Sequence, residues 1–208
     1  VLDHSCSKLG FGGKMCIDGT KKFDEEIDDV AHHSFSEGGT SEIESAFKSR
    51  FPEIHIINTS LLNKGIPCLV MAVEKNRKGH LKELHEQICA LRETEIIKVI
   101  LYVEHTVDAN DLPIALWRFC NNLDPKRDHH LCKRMVDGKY IACMGLDGTR
   151  KTKELDDFHR DWPNIIIANE ETIKSVDAKW EQLGIGAFIP SPKRMAAPGV
   201  PGAASPVS

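Results

Sequence analysis

The chain has 208 residues, of which 41% are hydrophobic and 28% are charged, and its formal net charge is −4. This composition is typical of a soluble globular domain, and the slightly acidic balance argues against a basic face for nucleic acid. No hydrophobic run approaches the roughly 20 residues that a membrane-spanning helix needs, and we expect no signal peptide.

The seven cysteines are scattered along the chain and form no Cys-x-x-Cys pair. An odd number without regular spacing argues against a disulfide framework and is typical of a reducing compartment. We therefore predict a cytoplasmic protein in which several cysteines are small core residues. Potential metal ligands occur in residues 128–132 and in the pair His80 and His85, but neither set shares one face of its element. We predict no metal site in the chain.

Two segments repeat one another, because residues 15–22 read MCIDGTKK and residues 144–151 read MGLDGTRK. Lys14 precedes the first copy, whereas Cys143 precedes the second. In each copy the Asp-Gly pair predicts a turn, the Thr predicts a cap for the next segment, and the basic residues are expected to be solvated.

The repeat also indicates how the chain is divided. We predict that residues 1–35 are the tail of a preceding domain copy and that residues 41–185 form a second, diverged copy. Residues 186–208 are rich in Pro, Gly, Ala and Ser. They contain too few hydrophobic residues for a core, so we predict a disordered tail.

From residue 41 onwards, predicted strands and helices alternate. Ser41 with Glu44 three residues later indicates the start of a helix, and Pro52 indicates its end. Trp117 is predicted to pack against the sheet from a helix at 112–123, which Asp111 would cap. Strands are predicted at 54–58, 67–73, 97–103, 139–144 and 164–168, and further helices at 79–93 and 170–183.

This alternation predicts an α/β fold, a compact Rossmann-like three-layer domain with a mostly parallel sheet and helices on both faces. No G-x-G-x-x-G motif follows a predicted strand and opens a helix. A dinucleotide site is therefore not expected.

Four short segments follow the predicted strand at 97–103: VDANDL at 107–112, LWR at 116–118, LDPKRD at 123–128 and MGLDGTRK at 144–151. In this order they resemble the C-terminal α/β domain of the UbiD family of decarboxylases. A departure is Cys143, which stands where the family loop has Lys.

The UbiD resemblance implies a parent enzyme that decarboxylates aromatic or unsaturated acids without oxidation, as in quinone biosynthesis. It implies prenylated FMN and a divalent metal in that parent. The family's flavin-binding barrel and its Arg/Glu acid–base group belong to a preceding domain, which nothing in this chain matches. We therefore predict that the chain is inactive alone and has no catalytic or cofactor-binding residues. The resemblance implies that Leu2, Asp3, His4 and Lys14 line the substrate cavity.

The expected partners are the preceding domains of the same polypeptide and further copies of the chain. An alternative is a structural module that joins subunits and has no direct catalytic role. A third hypothesis is a small free-standing α/β enzyme that uses His4 or Cys16. A long reading frame upstream of Val1 would favour the first two hypotheses, and a start codon close to Val1 would favour the third.

Overall fold

Strands and helices alternate along the chain, as the hydrophobic pattern predicts. The computed structural model describes residues 5–8, 16, 20, 21, 23, 39–160 and 168–190. These fall into two compact units, Val1–Arg160 and Asp161–Ser208. In chain order, the described elements of the first unit are α1 (Gly39–Arg50), β1 (Ile54–Asn58), β2 (Cys68–Val73), α2 (His80–Cys89), β3 (Val99–Glu104), α3 (Leu112–Asn122), β4 (His129–Val136), β5 (Lys139–Asp147) and α4 (Lys153–Asp156).

The second unit contains α5 (Glu170–Leu183). Asn169 caps its N-terminus, because the side chain of Asn169 accepts a hydrogen bond from the backbone N–H of Thr172 at 2.8 Å. Beyond its C-terminus the ring of Phe188 packs edge-on against Trp180, with ring centroids 5.7 Å apart.

The five strands form one sheet in the order β1-β2-β3-β5-β4. The three central strands are parallel, and both edge strands pair antiparallel to their neighbours. Every residue of β2 is buried, as expected for a central strand covered on both faces. The predicted α/β fold is confirmed, with its parallel part in the three central strands.

Helices cover both faces of the sheet. On one face, Phe47 of α1 and Leu84 and Ile88 of α2 pack into a core that includes Tyr102. On the other face, Ala115 and Phe119 of α3 pack against a second core with members in β2, β3 and β5, namely Val70, Ala72, Val103 and Leu146. This is the predicted three-layer arrangement.

The prediction for Trp117 is wrong, because this side chain is 37% exposed. Helix α3 instead turns Ala115, Phe119 and Asn122 inward. The reason lies on β5 and the loop after it: the Phe119 ring occupies the space that a side chain at Gly148 would fill. The helix is thereby rotated by about one residue, or roughly 100°, from the predicted orientation.

Helix termini follow the local chemistry only in part. Asp111 caps α3 as predicted, accepting a hydrogen bond from the N–H of Ile114 at 3.4 Å. Helix α1 begins at Gly39, so Ser41 lies inside its first turn rather than at its cap. Residues 164–167 of the strand predicted at 164–168 and most of the tail predicted at 186–208 lie outside the described residues. Within the described ranges, none of the helices has both the length and the hydrophobicity to span a membrane.

Candidate functional site

Charged residues stand where three parallel strands end at one edge of the sheet. Lys75 follows β2, Glu104 ends β3 and Asp147 ends β5. Ligands of open α/β sheets bind at this edge, where the carboxyl ends of the strands meet. The candidate site is therefore the carboxyl-edge cluster, which consists of Lys75, Arg127, Asp128, Asp147, Lys151 and Asp156.

Asp147 is the centre of this cluster, and its carboxylate is buried. One carboxylate oxygen lies 3.1 Å from Lys151 Nζ, and the other lies 3.8 Å from Lys75 Nζ. The first oxygen also accepts hydrogen bonds from the backbone N–H of Thr149, at 2.9 Å, and from its hydroxyl. The Asp-Gly-Thr segment thus forms the predicted turn, because the aspartate side chain accepts a hydrogen bond from the backbone N–H two residues on.

Lys151 was expected to be solvated, and this prediction is wrong: its side chain is only 1% exposed. The ammonium group donates hydrogen bonds to the carbonyl oxygens of Asp147 and Thr149, at 2.9 and 2.8 Å. It also lies 3.6 Å from an oxygen of Asp128. A buried ammonium group needs such acceptors, because burial without them costs several kcal/mol.

Asp128 links the Asp-Pro corner, residues 124–128 between α3 and β4, to the β5–α4 loop at residues 148–152. Arg127 binds its carboxylate through two hydrogen bonds of 2.6 and 2.7 Å, and the N–H of Asp124 donates to it at 2.8 Å. The remaining arm of Arg127 donates to the carbonyl oxygen of Ser5 at 2.6 Å. Bidentate pairing of this kind fixes orientation as well as charge.

The two buried carboxylates have opposite pKa shifts. Burial alone would raise the pKa of Asp147, but Lys151, Lys75 and the hydrogen bonds from Thr149 outweigh it and lower that pKa to about 2. Burial raises the pKa of Asp128 above its ordinary value, although Arg127 and Lys151 oppose this rise. Asp147 is therefore the firmly ionised member of the cluster.

The cluster balances its own charges. Lys75 Nζ lies 2.6 Å from a carboxylate oxygen of Asp156, so each of the three cations contacts at least one of the three carboxylates. The adjoining cavity has a volume of about 290 Å³, which is at the lower end for small-molecule sites. These paired groups can hold the β5–α4 loop and the Asp-Pro corner together, but they present no unpaired nucleophile, base or acid.

A second cluster lies between α2 and the β4–β5 hairpin, and sequence analysis missed it. His85 and Cys89 lie on α2, and Cys132 lies on β4. Their potential ligand atoms are all within 4.8 Å of one another. A sequence signal was present, since residues four apart on a helix share one face. The pairing of α2 with β4, however, depends on tertiary packing.

The predicted substrate-lining residues Leu2, Asp3, His4 and Lys14 all lie outside the described residues. Cys16, the nucleophile of the third hypothesis, is exposed.

The segment immediately after His4 is described and packs closely. Ser5 and Cys6 are 2% and 1% exposed, and the carbonyl oxygen of Cys6 accepts a hydrogen bond from Arg160 at 2.7 Å. Residues 5–6 therefore contact the same corner of the fold as Asp128.

The sequence profile of the 3-octaprenyl-4-hydroxybenzoate carboxy-lyase C-terminal domain matches residues 38–149, which include all five strands. An uncharacterized protein of Helicobacter pylori (strain ATCC 700392 / 26695) is 26% identical over 86% of this chain. An uncharacterized protein of Aquifex aeolicus (strain VF5) is 29% identical over 57% of it. Each match covers 26% of the relative, so the chain spans about a quarter of the length of these curated relatives.

Two solved structures match this chain at lower identity. Vanillic acid decarboxylase of Sedimentibacter hydroxybenzoicus, in its open form, is 12% identical with a TM-score of 0.47, over 68% of this chain and 31% of that chain. The UbiD-class enzyme HmfF of Pelotomaculum thermopropionicum, in complex with FMN, is 17% identical with a TM-score of 0.47, over 67% and 33% of the two chains.

Proposed function

The chain belongs to the family of 3-octaprenyl-4-hydroxybenzoate carboxy-lyase C-terminal domains, and we propose that it is the C-terminal part of a larger UbiD-like enzyme. That enzyme would decarboxylate an aromatic acid of the quinone-biosynthesis type without oxidation. The observation that carries the proposal is the family match over 38–149, which spans the whole described sheet.

The carboxyl-edge cluster does not fit a flavin. FMN carries a phosphate, which needs cations or free backbone N–H groups. The cations at the carboxyl edge are paired with Asp128, Asp147 and Asp156, and the adjoining cavity of about 290 Å³ is small for a tricyclic cofactor. We therefore propose that prenylated FMN and its divalent metal are bound by preceding domains of the same polypeptide, and that the 208-residue chain is inactive alone.

The test compares the chain with the product of its gene extended upstream. Both are produced with a flavin prenyltransferase, and the loss of a panel of hydroxybenzoates and the flavin absorbance are measured. We expect flavin and decarboxylation in the extended protein alone. A 208-residue preparation that contains stoichiometric flavin and releases CO₂ would overturn the proposal, and so would an extended gene product without any flavin-binding domain.

We further propose that Leu2, Asp3, His4 and Lys14 line the substrate cavity of that enzyme. The resemblance carries this proposal, and the adjoining Ser5 is anchored beside the carboxyl edge, where its carbonyl oxygen accepts a hydrogen bond from Arg127. A cation near a carboxylate substrate makes a strong contact in a site with little water.

The variants Lys14→Ala and His4→Ala of the extended enzyme should lower turnover while the melting temperature changes little. Arg150→Ala, in the second copy of the repeat, is the control and should leave turnover nearly unchanged. Equal losses in all three variants would contradict the assignment.

A second candidate function is that of a module joining copies of the enzyme in a cytoplasmic homo-oligomer. Leu131, Met135 and Tyr140 are 48%, 55% and 81% exposed. Leu131 and Met135 lie on one face of β4, and Met135 pairs with Tyr140 across the hairpin. An exposed hydrophobic face of this kind favours contact with a second copy.

Light scattering coupled to gel filtration tests this second candidate. Met135→Ser with Tyr140→Ser should reduce the oligomer mass, whereas Lys82→Ser, at an exposed position of α2, should not. An unchanged mass in the double variant would contradict the assembly role of this face.

A further inference from the structure

Three cysteines and one histidine converge where α2 packs on the β4–β5 hairpin. His85 and Cys89 lie four residues apart on one face of α2, and both are buried. Cys132 on β4 is the direct cross-strand partner of Cys143 on β5. Cys89, Cys132 and Cys143 also line one cavity between α2 and the hairpin. The side chains that meet here thus come from three elements.

Their spacing is close to that of a tetrahedral metal site. Zn²⁺ binds thiolate sulfur at about 2.3 Å and imidazole nitrogen at about 2.0 Å, so neighbouring ligand atoms lie roughly 3.5–3.8 Å apart. Cys89 Sγ lies 3.5 Å from His85 Nε2. The ligand atoms of His85, Cys89 and Cys132 are all within 4.8 Å of one another. Cys143 is not a member of this group of three, so its side chain would turn inward to supply the fourth ligand.

The imidazole of His85 is already oriented for coordination. Its Nδ1 lies 2.9 Å from the hydroxyl oxygen of Tyr102, which is fully buried. Its Nε2 faces Cys89 and lies 3.3 Å from the carbonyl oxygen of Cys143. One tautomer donates from Nε2 to that carbonyl. The other donates from Nδ1 to Tyr102 and leaves the Nε2 lone pair facing the sulfur, which is the arrangement of histidine ligands with a second hydrogen-bonded partner.

We propose that His85, Cys89, Cys132 and Cys143 bind one thiophilic divalent cation of the Zn²⁺ class. Three soft sulfur donors and one imidazole select such a metal over Mg²⁺ or Ca²⁺, which prefer oxygen ligands. The cation would join α2 to the β4–β5 hairpin, as structural zinc sites do between elements that pack weakly alone.

Binding of the cation at this site releases protons from the cysteine thiols. The Cys143 thiol and burial raise the pKa of Cys89, and burial raises the pKa of Cys132 to about 12. Without a cation these thiols are neutral at physiological pH. Each thiol that coordinates releases its proton to solvent. Binding is therefore expected to be tighter at higher pH.

A path from solvent reaches the cluster. A cavity of about 570 Å³ opens at the surface between α2 and the hairpin, and Cys89, Cys132 and Cys143 line it. Cys132 is half-buried, whereas the other two cysteines are buried. The cation can therefore enter the folded chain from the side of Cys132.

The first test is a titration of the reduced, tag-free 208-residue chain with Co²⁺, followed by Zn²⁺. We expect one equivalent of Co²⁺ to produce thiolate-to-metal charge-transfer bands and the intense visible bands of tetrahedral cobalt. Zn²⁺ should abolish both sets of bands and raise the melting temperature. A folded, reduced chain without these spectra would overturn the proposal. So would a chain in which a Cys132–Cys143 disulfide forms but the reduced thiols bind no metal.

Two variants and one control assign the ligands. Cys132→Ser removes the most accessible ligand and should abolish the charge-transfer bands or weaken metal binding at least 10-fold. A loss of about 10-fold is already expected when a residue that only hydrogen-bonds to a ligand is replaced. Tyr102→Phe keeps all four ligands and should weaken binding by about 10–100-fold through the loss of the second hydrogen-bonded partner. Cys120→Ser, at an exposed cysteine outside the cluster, should leave binding unchanged.

Circular dichroism confirms that each variant is folded before the titration. Binding that is equal in wild type and in folded Cys132→Ser would overturn the assignment. The zinc-induced rise in the wild-type melting temperature needs no variant, so the proposal remains testable if a substitution prevents folding.

Discussion

The imidazole of His85 lies directly on the backbone of Gly145, so that a Cβ at position 145 would fall 2.6 Å from His85 Nδ1. Gly148 has the same relationship with α3, because a Cβ there would fall 2.4 Å from the Phe119 ring. Because Gly145 and Gly148 have no side chains, His85 of α2 and Phe119 of α3 can pack against their backbones, one from each helical layer. This explains why both positions need glycine although neither has a positive φ.

Gly145→Ala should destabilise the chain by about 1–3 kcal/mol, because the new methyl group overpacks a filled core. His85→Ala in the same chain removes the clashing ring. The double variant should therefore lose less stability than the sum of the two single losses. Urea unfolding of the wild type, the two single variants and the double variant measures this coupling. Strictly additive losses of stability would show that the contact between His85 and residue 145 does not limit the packing of the core.

Lys151→Met should cost about 3–5 kcal/mol, because it leaves the buried Asp147 and Asp128 carboxylates without their shared cation. Lys153→Met replaces an exposed lysine two residues on and should change the free energy of unfolding by no more than about 0.5 kcal/mol. Equal effects in chemical denaturation would contradict the structural role of the carboxyl-edge cluster.

Acid should weaken the fold through Asp147. Its pKa in the folded chain is about 2, compared with an ordinary value of 3.8, so the unfolded chain binds more protons between these two pH values. Stability from this group is complete above about pH 4 and is lost as pH falls towards 2, a change on the order of 2 kcal/mol. The raised pKa of Asp128 acts in the opposite direction and offsets part of this loss.

Asp147→Asn should therefore flatten the dependence of unfolding free energy on pH between about 4 and 2. Asp137→Asn is the matched control, because Asp137 is exposed in the β4–β5 turn and Asn tolerates its positive φ of 49°. A slope that is unchanged in Asp147→Asn would show that other carboxylates determine the acid sensitivity.

Phe119→Ala should cost about 3–5 kcal/mol, as expected for a large aromatic side chain in a core. Trp117→Ala should cost less than half as much, because Trp117 is 37% exposed and Phe119 is only 6% exposed. Thermal unfolding of both variants compares the two faces of α3 directly. A larger loss from Trp117→Ala would restore the predicted orientation of this helix.

Hydrophobic patterning predicted four of the five described strands, missing β4 at His129–Val136, and predicted the helix faces less well. The all-apolar run of β2 has few alternatives to a buried central strand, and β1 was predicted at its observed bounds. Helix α3 carries hydrophobic residues on two overlapping faces, around Trp117 and around Phe119. The choice between them is made by the missing side chain of Gly148 in another element, which periodicity within the helix does not detect.

The charged and thiol clusters were missed for a related reason. Lys151 is basic and follows a turn, so local sequence favours a solvated side chain. Only the approach of Asp147 and Asp128 makes its burial favourable. Likewise, the residues next to Cys132 in the sequence are not the ones that surround its thiol. The groups beside that thiol, His85 and Cys89, come from α2. Sites assembled from several elements depend on tertiary packing, which a single-sequence pattern does not contain.

The contacts of the N-terminal segment have a consequence for the order of folding. Arg127 reaches Ser5 across 122 residues, and Arg160 reaches Cys6 across 154. Contacts so distant along the chain form only after the loop between them has closed. Both guanidinium groups also lie over the ring of Phe158, so their binding surface exists only once the Asp-Pro corner and the segment after α4 have come together. We therefore expect Ser5 and Cys6 to dock after the sheet has formed.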